Sequence, residues 1–214
     1  MTDDRTEIDV STLPPGGTYP WLTATVIPRP IAWVSSLSAD GVENLAPHSF
    51  FTVASAEPPV VSFTSVGEKD TIRNVRATGE FVVNFASRSL AEKINLTSTN
   101  FPPEHSEAAV AELALTDSTA VRPRRVAESP AALECRFVGE KSFGDSTVVF
   151  GQVLHLSVAT ASLLADGKPD AHHLDPAARL GRDEWGTLGE IFSLRRIPYR
   201  EWAGSTKDGD PSAS

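Results

Sequence analysis

The chain has 214 residues, 19 Lys and Arg against 28 Asp and Glu, a formal net charge of −9, one cysteine and 40% hydrophobic residues. Those figures suit one soluble globular domain with a sizeable core; they exclude an internal disulfide and CxxC chemistry, fit a reducing cytoplasm, and argue against nucleic acid, whose binding rewards dense Lys and Arg. No apolar run approaches the roughly 18 residues of a membrane span, and the acidic N-terminal MTDDRTEIDV has no apolar stretch of a secretory signal, so a cytoplasmic chain without a membrane partner is expected.

In chain order, residues 1–18 are polar and rich in Thr, Pro and Gly, and read as an arm. Residues 25–37 (TVIPRPIAWVSSL) are β-rich but interrupted by Pro28 and Pro30, so a strand is predicted from Ile31 to Leu37. Asp40-Gly41 is a hairpin signal. HSFFTVAS (48–55), PVVSFTS (59–65) and EFVVNFA (80–86) read as further strands. Asp70 or Thr71 can cap a helix carrying Ile72, Val75 and Arg76, Ser89 can begin another, and 106–113 (SEAAVAEL) can form a third. Late in the chain Leu133, Cys135 and Phe137 share one strand face, and Val148, Phe150, Gln152, Leu154, Leu156 and Val158 share a face of a longer strand. From Ala203 the sequence is small and polar and reads as a disordered tail. The expected organisation is an arm (1–18), one domain (19–202) and a tail (203–214). The expected architecture is mainly β, a β-barrel with peripheral helices. The lack of GxGxxG after any strand argues against a Rossmann domain.

Chemistry concentrates in PVVSFTSVGEKDTIRNV (59–75), where a strand runs through a Gly-containing turn into a helix. Helix N-terminal amides and dipole favour a phosphate; Lys69 adds charge, Thr71 a hydroxyl, and Ser62 and Thr64 alternate onto one strand face. The plainer reading is that Thr71 caps the helix and Lys69 is a solvated charge. Arg29 offers a second cation, held extended by Pro30. The irregular run NLAPHSFF (44–51) would leave backbone groups free for the edge of a planar heterocycle, with His48 either a near-neutral proton donor or a loop residue. His172 and His173 beside Asp170 and Asp175 lack metal-ligand spacing, so no metal is expected, and Cys135 on an apolar strand face reads as inert. No general acid, base or nucleophile stands out.

RPIAWVSSLSADGVENLAPHSFF (29–51), EPPVVSFTS (57–65), EKDTIRN (68–74), GEFVVNFA (79–86) and RLGRDEWGTLGEIFSLRR (179–196) together resemble the flavin reductase-like family with the FMN-binding split-barrel fold. In the last segment the family pattern reads closer to R-L-G-G-x-x-Y, so that Arg182 stands in place of the second glycine and Trp185 at the aromatic. The resemblance implies a Greek-key split β-barrel, a homodimer, and FMN near the subunit interface. It places Ser62, Thr64, Lys69, Asp70 and Thr71 round the phosphate and ribityl chain with Arg29 nearby, and Asn44, Ala46, Pro47, His48 and Ser49 along the isoalloxazine. Arg179 becomes a phosphate or dimer contact, and Trp185 a cover for the ring from the partner. The activity so implied is NAD(P)H-dependent flavin reduction through flavin N5, with a partner monooxygenase as one receiver of reduced flavin. The alternatives are a flavodoxin-like FMN electron carrier and a non-catalytic flavin-binding barrel.

Overall fold

In a computed structural model, which describes residues 4–102 and 105–205, Ile31, Ala32, Trp33 and Val34 are all buried, because the strand that holds most of them lies between two cores. The elements run α1 (Thr18–Thr25), β1 (Arg29–Pro30), β2 (Ala32–Leu37), β3 (Glu43–His48), β4 (Phe51–Ser55), β5 (Val60–Val66), α2 (Asp70–Thr78), β6 (Glu80–Phe85), α3 (Ala91–Leu96) and α4 (Glu107–Val110). They continue with β7 (Leu115–Thr116), β8 (Arg125–Val126), β9 (Ala131–Phe143), β10 (Ser146–Val158), α5 (Ala171–Leu174), β11 (Ala178–Arg179), β12 (Trp185–Gly186) and α6 (Tyr199–Ser205).

Seven strands form one antiparallel sheet in the order β3-β2-β6-β9-β10-β5-β4. The two edge strands, β3 and β4, are consecutive in the chain and separated only by Ser49 and Phe50. A sheet whose opposite edges are joined by two residues has to curl back on itself, and the Thr64 amide donating to the Phe50 carbonyl at 2.9 Å extends the β4–β5 ladder up to that joint. The seam between β3 and β4 carries no ladder, so the barrel is split there.

Alternation along β2 builds both cores. Ala32 and Val34 face the barrel interior with Val61, Phe63, Ile72, Val75, Phe81, Val83, Cys135 and Val149. Ile31 and Trp33 face outward into a second cluster with Leu45, Leu90, Ile94 and Val126, under α3 and α4. The Trp33 indole N–H donates to the Thr97 hydroxyl at 2.9 Å, satisfying the one polar group that this large side chain buries. Gly151 is required on β10: a Cβ there would lie 2.2 Å from the Phe81 ring.

The stretch from Leu115 to Val126 is held down by Glu134, which is 0% exposed. Its carboxylate accepts the Thr119 amide at 3.0 Å and the Ala120 amide, with Arg125 at 3.6 Å. A buried carboxylate is tolerable only when so many donors face it.

Several expectations are revised. The second strand begins at Ala32, with Arg29–Pro30 forming a separate short strand paired to β11. Thr18–Thr25, of which Thr18 reads as the end of the arm and Thr25 as the start of a β-rich run, is a helix; Pro20 sits in its first turn, where the missing N–H costs nothing. NLAPH is not irregular but strand β3, and the expected strand 48–55 is divided at Ser49 and Phe50. Lys69, rather than Asp70 or Thr71, holds the cap position of α2, and no side chain caps it. The helix expected from Ser89 is a 3₁₀ turn at Arg88–Leu90 followed by α3, and the helix expected over 106–113 is the single turn α4. Helix α6 extends to Ser205, into the expected tail, whose residues 206–214 lie outside the described residues. The six-residue face proposed for 148–158 is broken: a register shift between Val153 and His155 makes Leu154 an extra residue. Before it Val149 faces the barrel core opposite Phe63; after it Leu156 stands opposite Leu133. A bulge switches the face of everything beyond it.

Candidate active site

Because β3 alternates, Asn44, Ala46 and His48 share one face while Leu45 enters the second core. That face lines a cavity of ≈ 180 Å³ whose far wall is the start of α2, Lys69 to Thr71, and whose rim is the segment Thr97–Phe101. Helix α2 starts without a side-chain cap, so the amides of its first turn and its dipole face the cavity. The Asn44 amide donates at 3.0 Å to the Thr71 hydroxyl and at 3.2 Å to the Ser36 hydroxyl. Thr71 thus uses its oxygen as an acceptor, and its proton has no acceptor among the described residues.

Charges around the cavity are mixed, and their partners decide what a ligand meets. Asp70 is bound by Arg73, and Glu68 by Arg76 at 2.7 Å. Glu107 accepts the Leu45 amide at 3.1 Å, and burial, followed by the nearby charge of Asp70, raises its pKa. Lys69 has no ion-pair partner among the described residues and is the cation left to an incoming anion.

His48 sits at the barrel seam with its ring 4.7 Å from that of Phe63. It is 6% exposed, and its Nε2 is buried with no hydrogen-bond partner among the described residues. Burial, then the charge of Lys69, push its pKa down to about 4 against an opposing backbone hydrogen bond with Thr64, so the ring is neutral at pH 7. An unpaired polar atom this deep beside a cavity is what a site for a polar ligand leaves behind when the protein alone is considered.

The residues read from the sequence therefore separate into groups. Asn44, Ala46, His48, Lys69, Asp70 and Thr71 line the one cavity. Pro47 and Ser49 flank His48 on the chain without lining it. Ser62 and Thr64 lie on β5 with alternate parity to Val61 and Phe63, which face the barrel core, and they do not line the cavity either. Arg29 is buried and donates to the carbonyls of Thr23, Val26 and Leu180, fastening α1 to the C-terminal segment. Arg179, across the β1–β11 ladder from Arg29, stacks on Trp185 at 5.1 Å within the same chain. Trp185 packs against the second core and lines a different pocket with Arg88, Ala91 and Asn95. Arg182, at the pattern's second glycine, has φ of 54°, the left-handed region a glycine takes freely. Cys135 is 0% exposed and burial pushes its thiol up to about 12, which makes it a poor nucleophile. Among the described residues no group of three His, Cys, Asp or Glu could hold a metal. None of the helices described is long and apolar enough to cross a membrane.

Arg73, Glu107 and the Thr97–Phe101 segment were not read from the sequence as site residues. Glu107 reaches Leu45 across 62 positions, and no local pattern marks such a pairing.

An antiparallel barrel open at one seam, with a polar cavity there, defines the split-barrel class. The chain belongs to the flavin reductase like domain family, whose model matches residues 24–170. It is 38% identical to an uncharacterized protein of Deinococcus radiodurans over 92% of each chain. It is similar to nitrilotriacetate monooxygenase component B from Bacillus cereus, at 32% identity and TM-score 0.84 over 90% of this chain and 100% of that one. It is also similar to the Pseudomonas fluorescens 2-nitrobenzoate 2-nitroreductase NbaA, at 28% identity and TM-score 0.83 over 98% and 100%. A Shewanella frigidimarina structure with a split barrel domain shares the fold at 20% identity and TM-score 0.80, over 91% and 100%.

Proposed function

We propose that the chain is an FMN-dependent oxidoreductase that takes hydride from NADH or NADPH. The observation that carries this reading is the seam cavity. It joins an uncapped helix N-terminus, a Thr71 hydroxyl with its proton to give, and a Lys69 and a buried His48 Nε2 that have no partner among the described residues. At ≈ 180 Å³ the cavity takes a phosphate and the adjoining ribityl chain, while a tricyclic ring has to lie beyond the rim.

On this reading Lys69, the first amides of α2 and the Thr71 hydroxyl bind the phosphate, with Asn44 fixing Thr71 for the purpose. Neutral His48 offers a hydrogen-bonding group without adding a charge. The rim Thr97–Phe101 limits how far the ring can swing. When bound, the flavin supplies two-electron chemistry by accepting hydride at N5. The chain's own share is then to bind, orient and exclude water, since stacking donor and acceptor at near-attack distance needs no general acid or base.

The chain is further proposed to work as a homodimer. Support comes from Val53, Leu154 and Leu156, apolar side chains left exposed on the sheet. The likeness to a monooxygenase component is the ground for proposing that reduced flavin passes on to a partner monooxygenase.

Two measurements test this. The first is the visible spectrum of the purified chain and a titration with FMN: a colourless protein that quenches no added FMN removes the flavin reading. The second is NAD(P)H oxidation with and without excess free flavin. Turnover that needs free flavin is the expected result. No oxidation with either nucleotide by an FMN-loaded chain contradicts the reductase and leaves an electron carrier.

A further inference from the structure

Arg88, Ala91, Glu92 and Asn95 recur at the three- and four-residue spacing of one helix face. The opposite face, Leu90 and Ile94, is sunk in the second core. The outer stripe is thereby fixed, and it forms one wall of a cavity of ≈ 320 Å³ that the Trp185 indole also lines. Small-molecule pockets run from roughly 300 to 1,000 Å³, so the volume is that of a ligand site. Ala91, in the middle of the stripe, leaves space that a longer side chain would fill. Trp185 is held by Arg179 of the same chain, whose guanidinium lies 5.1 Å from the ring centroid and donates to the Arg182 carbonyl at 2.7 Å. The cavity is thus built within one chain.

The polar groups of the stripe are uncommitted. The Arg88 backbone amide is fixed to the Asp175 carbonyl at 2.7 Å. Its guanidinium, the Glu92 carboxylate and the Asn95 side-chain amide have no hydrogen-bond or ion-pair partner among the described residues. An indole, a guanidinium and a carboxylate round one cavity match the three parts of an adenine nucleotide. A purine packs on the indole, a phosphate pairs with the guanidinium, and a ribose diol gives its protons to the carboxylate. The position of the cavity fits as well. Asn95 lines it, and Thr97, two residues on, lines the seam cavity, so the two lie on either side of the end of α3. A helix with its side chains is about 10–12 Å across, and an extended dinucleotide is longer than that. A donor with its nicotinamide over a ring at the seam rim can therefore lay its other half here.

We propose that this cavity holds the adenosine diphosphate half of the hydride donor, with Trp185 against the adenine, Arg88 on the pyrophosphate and Glu92 on the ribose diol. The assignment rests on the hydride-donor reading above and goes beyond it in naming the donor. A carboxylate at the diol accepts its hydroxyls but repels a 2′-phosphate, so NADH is preferred to NADPH. Flavin binding is separate, since Arg88, Ala91 and Glu92 do not line the seam cavity.

Titration calorimetry with ADP, on the full chain with and without FMN, tests the site apart from turnover. ADP should bind in both states, and Arg88→Glu and Ala91→Phe should each weaken it about tenfold or more, with FMN affinity kept within about twofold. Arg88 is exposed, so its replacement does not put folding at stake. In steady state Arg88→Glu should raise the KM for NADH about tenfold with kcat within about twofold. Wild type should favour NADH over NADPH about tenfold in kcat/KM, and Glu92→Gln should narrow that gap. ADP bound as tightly by both variants as by wild type, or no ADP bound by a chain that oxidises NADH, overturns the site and leaves the reductase standing. Wild type that uses NADPH as well as NADH overturns the role of Glu92. ADP bound by a chain that, loaded with FMN, oxidises neither nucleotide overturns the donor assignment and the reductase together, and leaves a free adenine nucleotide as the occupant.

Discussion

Two buried polar residues, Glu134 and His48, sit on the same barrel and are treated in opposite ways. Glu134 is 0% exposed and receives two backbone amides and an arginine, all from the stretch Leu115 to Val126. His48 is 6% exposed, and its Nε2 receives nothing from the described residues. The first region is closed: the protein supplies every partner, and the group's role is to fasten a long excursion to the sheet. The second is open, because His48 lines a cavity already equipped with a cation and a helix N-terminus. The difference separates a buried group that holds the fold from one that the fold reserves for a ligand.

The largest expected effect lies on the closed side. Glu134→Ala takes the charged acceptor away from two partly buried amide bonds and from Arg125, and should lower unfolding stability by about 2–3 kcal/mol in a urea titration. The folded fraction should keep its FMN affinity within about twofold. A loss below about 1 kcal/mol breaks the contrast.

On the open side the effects change places. His48→Phe keeps the ring against Phe63, removes the unsatisfied Nε2 and gives up the hydrogen bond with the Thr64 backbone, so stability should change by no more than about 1 kcal/mol in either direction. FMN affinity should fall about fivefold, the worth of one ordinary hydrogen bond. The pH dependence sharpens this. The pKa of His48 in the folded chain is about 4, below its ordinary 6.5, so the unfolded chain takes up the proton first. Stability carried by neutral His48 is present above pH 6.5 and is lost as pH falls toward 4. Urea midpoints at pH 7 and pH 4.5 should therefore drop further in wild type than in His48→Phe, while FMN affinity stays flat from pH 6 to 8. The smallest effect concerns neither group. Arg182 holds φ of 54°, and Arg182→Gly keeps the backbone carbonyl that Arg179 bonds, so it should stabilise the chain by about 0.5–1 kcal/mol in thermal melts.

Legibility in the sequence followed the range of the interactions. The strands could be read because alternation is local, and Ala32, Val34, Cys135 and Val83 all reach the barrel core. The bulge at Leu154 could not, since one extra residue leaves the apolar pattern intact and reverses what it faces. Helix α1 was hidden by Pro20, a helix breaker everywhere except the first turn it occupies. Lys69, Asp70 and Thr71 were visible because strand, turn and helix start are contiguous. Glu107 and Thr97–Phe101 reach the cavity from distant segments, and only the folded sheet brings them there.

The central claim is that the seam cavity, and no other part of the barrel, holds the phosphate of FMN. Lys69→Ala combined with Thr71→Ala tests it in one FMN titration followed by flavin fluorescence, with the thermal midpoint recorded on the same samples. The account predicts an affinity about 10- to 100-fold weaker and a midpoint within a few degrees of wild type, since the pair removes one cation and one donor of a charged hydrogen-bond set. FMN bound as tightly as by wild type contradicts it.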